Sequence, residues 1–281
     1  MIDGEMIGLA WYLWILLVLL ALCTLYLWLI APARRRLDAG ALRGWLYAHR
    51  GLHDGNVAVP ENSLSAFRRA VEGGYGIELD TQLTRDGQVV VCHDSNLKRI
   101  AGADAEILSL TYDELCTIPL CDGSHVPLLS DVLALVAGRV PLIVEVKHYG
   151  GPARNAQKTW ELLRAYQGPY CVESFHPLAV RYFRRNAPQV IRGQLAAGGR
   201  FAPGMIGRPA FFCMKHLLLN AVSRPDFVAY CAEQDHTLSM GLMKRLYRPL
   251  LAAWTIRDQP LMDRVQKQYD LPIFELFIPK R

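Results

Sequence analysis

Three carboxylates, two histidines, an arginine and a lysine sit in or just after short apolar runs that ordinarily carry no charge: His49 and Arg50 after Trp45-Leu46-Tyr47-Ala48, Glu78 and Asp80 in Gly76–Leu83, His93 after Val89-Val90-Val91-Cys92, and Glu145 and Lys147 in Pro141–Lys147. Charged groups in such surroundings are costly to bury unless they are paired or bound to a cation. Glu78 and Asp80 are two residues apart, as are Glu145 and Lys147, so in extended chain each pair shares one face. Hard oxygen ligands in this number point to Mg²⁺ or Ca²⁺, whereas zinc would want more nitrogen or sulfur. Two imidazoles beside a carboxylate-bound cation suit acid–base chemistry on a phosphate ester. Each piece alone has a plainer reading: Glu78 and Asp80 as outward-facing strand carboxylates, His49 as a structural hydrogen-bonder, Glu145 and Lys147 as a salt bridge. Their joint occurrence at the ends of successive strands argues for a site.

These residues need elements that hold them. From Trp45 onward, apolar runs alternate with helix-like stretches, the pattern of a parallel sheet with crossover helices. The expected strands are Trp45–Ala48, Gly76–Leu83, Gln88–His93, Pro141–Lys147, Tyr170–Phe175, Val190–Leu195, Asp226–Tyr230, Leu250–Thr255 and Ile273–Ile278. Asn62 is expected to cap Ser63–Glu72, Ser130 to cap Asp131–Ala137, and Pro177 to open Leu178–Asn186. Only Thr84-Arg85-Asp86-Gly87 separates the second strand from the third, too little for a parallel crossover, and Asp-Gly is a hairpin signal. The third strand therefore folds back antiparallel, which leaves eight parallel ones. Together with roughly 245 residues of body, that predicts a TIM (β/α)8 barrel, whose active sites lie at the carboxyl ends of the strands. A doubly wound open sheet is the alternative, since closure leaves no mark in a sequence. With Asp86-Gly87 as a two-residue loop, Asp80 falls opposite His93 and shares its face with Glu78. A longer turn would shift that register by one residue.

The chain begins differently. No charge occurs between Glu5 and Arg34. As a helix, residues 7–30 would be roughly 36 Å long, enough to cross a hydrocarbon layer of about 30 Å. Trp11, Tyr12, Tyr26 and Trp28 lie toward its two ends, where amphipathic rings prefer the interface. A cleaved signal peptide has a basic leader and a shorter apolar core; here the leader carries Asp3 and Glu5, so a retained transmembrane anchor is expected. Arg34, Arg35 and Arg36, in a basic juxtamembrane linker spanning 31–44, place the following side in the cytoplasm. The expectation is a single-pass protein of the cell membrane, preceded by the anchor and carrying a cytoplasmic barrel over 45–281. Seven scattered cysteines without a CxxC pair agree with a reducing compartment. A composition of 52% hydrophobic and 20% charged residues excludes a disordered chain, and a net charge of +5 without a dense basic stripe gives no case for nucleic-acid binding. No feature sets an oligomeric state. The long 200–222 segment, which mixes Phe, Met and other bulky apolar residues with Arg200, Arg208, Lys215 and, just beyond it, Arg224, reads equally as a crossover helix or as an interfacial segment that dips into lipid.

In chain order, His49-Arg50-Gly51, Pro60-Glu61-Asn62-Ser63 through Phe67, Ile77–Asp80, Leu83–Gly87, Val90–Asp94, Val144–Lys147 and Ala253-Trp254-Thr255 resemble the motifs of the glycerophosphodiester phosphodiesterases, metal-dependent β/α-barrel enzymes. The resemblance covers nearly all of the chain after the apolar start. It implies hydrolysis of glycerophosphodiesters to glycerol 3-phosphate and an alcohol. It also implies one divalent cation on Glu78, Asp80 and Glu145, an acid–base pair of His49 and His93, and phosphate contacts from Arg50 and Lys147. Trp254 is expected either on the glycerol side of the substrate or as a core indole. Ser63 stands where the family often has Thr, and the ending Phe274-Glu275-Leu276-Phe277-Ile278-Pro279 replaces a more usual Asp-containing one. The anchor extends the expected substrates to lysophospholipids and other membrane-derived diesters, with a lysophosphatidate as product. Two other functions compete. A metal-independent lyase resembling bacterial phosphatidylinositol-specific phospholipase C would leave the three carboxylates idle. A catalytically silent lipid-headgroup-binding barrel would be expected to have lost a ligand or a histidine.

Overall fold

A computed structural model of the chain describes residues 2–35, 37–199 and 207–280. The strands are β1 (Tyr47–Ala48), β2 (Gly76–Leu83), β3 (Val89–Val91), β4 (Leu142–Val146) and β5 (Tyr170–Ser174), then β6 (Arg192–Ala196), β7 (Phe227–Cys231), β8 (Leu250–Ile256) and β9 (Leu271–Phe274). All but β3 run parallel to their neighbours, and β1 pairs with both β2 and β9, so eight strands close into a barrel with helices between them. Closure removes the open-sheet alternative.

Alternation along the strands explains which side chains point inward. Tyr47, Ile143, Cys171 and Phe227 belong to the apolar cluster inside the barrel, while Leu142, Val144 and Val172 pack outward against the helices. Two residues past Ile143, Glu145 faces inward again, and two past Cys171 so does Glu173. Register places Glu78 beside Ile143, Asp80 beside Glu145 and Glu145 beside Glu173. The barrel is therefore apolar in its lower layer and acidic in the layer above, at the carboxyl ends.

The hairpin differs from expectation by one residue. Thr81 pairs with Val91 and Leu83 with Val89, so Asp80 lies opposite Cys92 rather than His93. Three residues form the turn: Thr84 N donates to Gln88 O (3.0 Å) and Gly87 N to Thr84 O (3.0 Å), with Gly87 at φ +81°. A left-handed third residue is characteristic of a three-residue hairpin. Thr84 Oγ1 also donates to Asp86 (2.6 Å), which holds that carboxylate in the longer loop. Two capping expectations change as well. Ser63, not Asn62, caps the helix Leu64–Glu72, accepting from Ala66 N at 3.1 Å, because Asn62 is turned to φ +54° and spends its amide on Asp80. The helix Leu129–Val136 starts before Ser130, with Leu128 at its N-cap. The last strand stops at Phe274, and Leu276, within the run expected to continue it, adopts φ +60°.

The N-terminal helix, Ile2–Ile30, contains a 21-residue stretch, Ala10–Ile30, long and apolar enough to cross a membrane, with a mean hydropathy of 2.7. Among the described side chains, it touches the body through its last turns. Ile30 is buried, Tyr26 and Leu27 pack on the core, and Trp11 to Leu20 are exposed. Asn220 Nδ2 donates to Ile30 O (2.8 Å) and Tyr247 OH to Leu27 O (2.6 Å). Asn220 and Tyr247 lie just before β7 and β8, so the helix meets the barrel at the amino ends of its strands. Of the 200–222 segment, residues 200–206 lie outside the described residues. The helix Arg208–Lys215 buries Met214, exposes Phe212 and forms part of the crossover from β6 to β7.

Asn155 ties the acidic strands together. It lies on the helix Pro152–Leu163, wholly buried, and its Nδ2 donates to Thr81 O (2.8 Å) and Lys147 O (2.9 Å). Replacing it by Leu, similar in size, leaves buried acceptors without this donor and should lower the unfolding free energy by about 1–3 kcal/mol. Urea unfolding of the detergent-solubilised chain measures this, and an unchanged midpoint would contradict it.

Candidate active site

Oxygens of Glu78, Asp80 and Glu145, all buried, lie within 4.8 Å of one another at the carboxyl end of the barrel. Burial, then the negative charges of Asp80, Glu145 and Glu173, push Glu78 well above the usual carboxylate range. Burial also raises Glu145, against the pull of Lys147. Asp80 is held well below that range despite its burial, chiefly by Lys147, with His93 and Arg50 assisting. The Lys147 ammonium sits 2.8 Å from Asp80 Oδ1 and 2.9 Å from Glu145 Oε1. Asn62 Nδ2 donates to Asp80 Oδ2 at 2.8 Å, and the Arg50 backbone N–H donates to Glu78 Oε2 at 3.0 Å. Three converging carboxylates with no thiol among them, too crowded to ionise together unaided, fit a hard divalent cation.

Both histidines are fixed by carboxylates. His49 follows β1, and its Nδ1 lies 2.6 Å from Glu275 Oε1 while Nε2 points toward Glu78, 3.8 Å away. Burial pulls the His49 pKa down to about 4, against the hydrogen bond to Glu275, which raises it. The ring is thus neutral near pH 7, donating from Nδ1 and carrying its lone pair on Nε2. Glu275 immediately follows β9; despite burial, His49 and His53 hold it well below the usual range, and Arg257 grips it at 2.8 Å. His93 Nδ1 lies 2.6 Å from Asp94 Oδ1. Asp94 in turn accepts from Arg99 Nε (2.6 Å), Arg99 clasps both oxygens of Glu61 (2.6 and 2.7 Å), and Glu61 accepts from Arg50 Nη1 (2.7 Å). This chain of alternating charge links His93 to Arg50.

A cavity of about 160 Å³ lies between His49, His93, Glu78, Glu145, Glu173 and Trp254, and Arg50 also lines it. A more open hollow of about 420 Å³, lined in part by Arg50, His53, Arg99 and Arg257, adjoins it. The structure therefore brings together both histidines, Arg50 and the three carboxylates singled out from sequence. Trp254 is half-buried at the cavity wall, edge-on to Phe175 with ring centroids 5.6 Å apart. Lys147 is buried with its amine engaged by Asp80 and Glu145, and it is not among the residues lining either hollow. Participants not singled out from the sequence include Glu275, Asp94, Arg99 and Glu173, with Glu61, His53 and Arg257 beside them. Glu173 had a signal, an acid two residues after a core position near the end of a strand.

A closed β/α barrel with an acidic, cation-fitting cradle and two carboxylate-fixed imidazoles at the carboxyl ends of its strands is the architecture of a metal-dependent phosphate-ester enzyme. The chain belongs to the glycerophosphoryl diester phosphodiesterase family, whose model matches residues 49–273. It is 33% identical over 161 residues to a glycerophosphodiester phosphodiesterase of Bacillus altitudinis, covering 52% of this chain and 63% of that one. It is 34% identical over 134 residues to a lysophospholipase D of Rattus norvegicus, covering 43% and 41%. The chain thus spans less than two-thirds of either relative. Among solved structures, the Oleispira antarctica phosphodiesterase in complex with the product sn-glycerol-3-phosphate superposes with a TM-score of 0.68 at 20% identity, over 84% of this chain and 94% of that one.

The protonation of His49 can be read by NMR in chelator. Its ring should stay neutral through mildly acidic pH and take up its proton only near pH 4. Glu275→Gln removes the partner that raises this value, so the titration should move lower still. A midpoint near the ordinary value of about 6.5, or an upward shift in the variant, would contradict the geometry.

Proposed function

We propose that this protein hydrolyses glycerophosphodiesters to glycerol 3-phosphate and an alcohol, with one Mg²⁺ or Ca²⁺ held by Glu78, Asp80 and Glu145. The observation that carries this reading is the cluster of three buried carboxylates, Glu78, Asp80 and Glu145, two of which line one cavity together with two carboxylate-fixed imidazoles. The cation supplies neutralising charge to the phosphodiester. Arg50, braced by Glu61, turns its planar guanidinium toward a phosphate oxygen. Lys147 adds positive charge from below, holding Asp80 ionised and keeping the carboxylates of Asp80 and Glu145 aimed. His49, neutral with its lone pair on Nε2, accepts the proton of the attacking oxygen. That oxygen is either water directly or the substrate's own hydroxyl, in which case a water then opens the cyclic phosphate to glycerol 3-phosphate. His93, anchored through Nδ1 on Asp94, delivers a proton to the departing alkoxide. Trp254 walls the glycerol side. The product in the Oleispira antarctica enzyme supports glycerol 3-phosphate as the released half. A metal-independent lyase would have no use for the acidic cradle, and a silent barrel would not retain the full set.

Ala10–Ile30 is read as a membrane span, with Arg34 and Arg35 on the cytoplasmic side and the barrel there too. Seven unpaired cysteines agree with that compartment. The span joins the barrel at the strands' amino ends, a strand length of roughly 17 Å from their carboxyl ends. The site therefore opens away from the anchored end, which favours a water-soluble diester. A second reading, a lysophospholipid cleaved to a lysophosphatidate, draws on the rat relative.

The test is an assay of the purified full chain on glycerophosphocholine and lysophosphatidylcholine, with Mg²⁺, Ca²⁺ or chelator. Hydrolysis should require a cation, and His49→Ala and His93→Ala should each lower the rate on the order of 10²-fold or more. No hydrolysis with either cation would overturn the proposal, and near-normal turnover in either variant would remove that histidine from it.

A further inference from the structure

The chemistry above leaves one dense cluster of charge unused. A cavity of about 610 Å³ lies where the N-terminal helix meets the barrel, at the end of the molecule opposite the catalytic groups. Arg34, Arg35, Arg184, Arg192 and Arg224 line it beside Trp28, and among the described residues that line it there is no carboxylate.

Two of these arginines are committed to fastening the helix. Arg224 donates to Trp28 O (2.7 Å) and Ala31 O (2.9 Å), with its guanidinium 4.4 Å from the centre of the Trp28 ring. Arg35 forks onto Asp226 at 2.9 and 2.7 Å and also donates to Val190 O and Pro188 O. The other three are poorly matched. Arg192 is only 3% exposed, yet its Nε and Nη1 have no hydrogen-bond partner. Its nearest anion, Asp226, stands 3.4 Å from Nη1 and already serves Arg35. Arg184 reaches only Val222 O, at 3.5 Å, and Arg34 makes no hydrogen bond or ion pair among the described residues. The crowding shows in protonation too. Burial, followed by Arg35 and Arg184, draws Arg192 down to about 10 although Asp226 opposes it.

A buried guanidinium with bare N–H groups among like charges is costly. A ligand with several anionic oxygens relieves both faults at once, and phosphate is the group whose geometry guanidinium forks match. The position narrows the source. Trp28 and Ala31 mark the end of the apolar helix, the depth at which aromatic rings and lipid headgroups meet. We propose that Arg34, Arg184 and Arg192 form a binding site for the phosphate of an anionic phospholipid headgroup, in the leaflet adjoining the barrel. The proposal goes beyond the catalytic reading and rests only on Ala10–Ile30 being a membrane span.

The test uses the full chain in nanodiscs of phosphatidylcholine alone or mixed in equal parts with phosphatidylglycerol. Phosphatidylglycerol should raise the Tm of the parent by about 3 °C. That rise should vanish in the Arg34→Gln/Arg184→Gln pair, whose side chains are exposed, and in Arg192→Gln, while the pair hydrolyses glycerophosphocholine as the parent does. An equal rise in parent and pair would overturn the site. The same rise from inorganic phosphate in phosphatidylcholine discs would assign the cavity to a free anion and overturn the lipid. Loss of the chain from liposomes under alkaline carbonate, seen as a missing band in the pellet, would overturn the membrane span and the lipid site with it.

Discussion

Carboxylates repel, and this barrel places three within 4.8 Å of each other out of water. At an effective dielectric of about 20, a pair of full charges at that spacing costs roughly 3 kcal/mol. The surrounding groups read as answers to that cost. Lys147 bridges Asp80 and Glu145, Asn62 donates to Asp80, and the Arg50 backbone N–H donates to Glu78. These partners settle Asp80 but leave Glu78 raised, a residual crowding that a hard divalent cation would relieve. A fourth acid, Glu173, lies beside Glu145, where burial and then the charges of Glu145 and Asp80 raise it well above the usual carboxylate range, and its Oε2 finds no partner.

The crowding follows from ordinary strand geometry. Adjacent parallel strands in register put Asp80 next to Glu145 and Glu145 next to Glu173, and period-two alternation puts all of them inside. The barrel's lower interior, packed by Tyr47, Ile143, Cys171 and Phe227, offers the acids no route inward. The imidazoles stand at the rim, each braced from outside by a carboxylate, His49 by Glu275 and His93 by Asp94. Each ring is thereby held by one nitrogen and offers the other.

Much of this was legible in the chain. The count of eight parallel strands and the shared faces of Glu78 with Asp80 and of Glu145 with Lys147 follow from alternation and from a connection too short for a crossover. The grouping of Glu78, Asp80 and Glu145 as ligands comes with the family resemblance. The hairpin register differs by one residue from expectation, since the third turn residue is decided by the Thr84 hydrogen bonds rather than by the Asp-Gly pair. The site survives that slip because β3 ends at Val91, and His93 is placed by Asp94, not by strand pairing. Local spacing makes Asn62 look like a cap because it cannot reveal a partner eighteen residues on, and it hides the role of Glu275 because His49 lies 226 residues before it. Contacts of that reach come from closing the barrel, which brings β9 against β1.

The two ends of the barrel divide the work. Acids and imidazoles crowd the carboxyl ends, arginines and the apolar helix gather at the amino ends, and the apolar interior separates them. Crystals of the protein soaked in Mn²⁺ and measured for anomalous scattering test the central claim most directly. The account predicts one peak within about 2.0–2.6 Å of an oxygen from each of Glu78, Asp80 and Glu145. A saturated crystal with no peak there, or with the metal bound elsewhere, would contradict it.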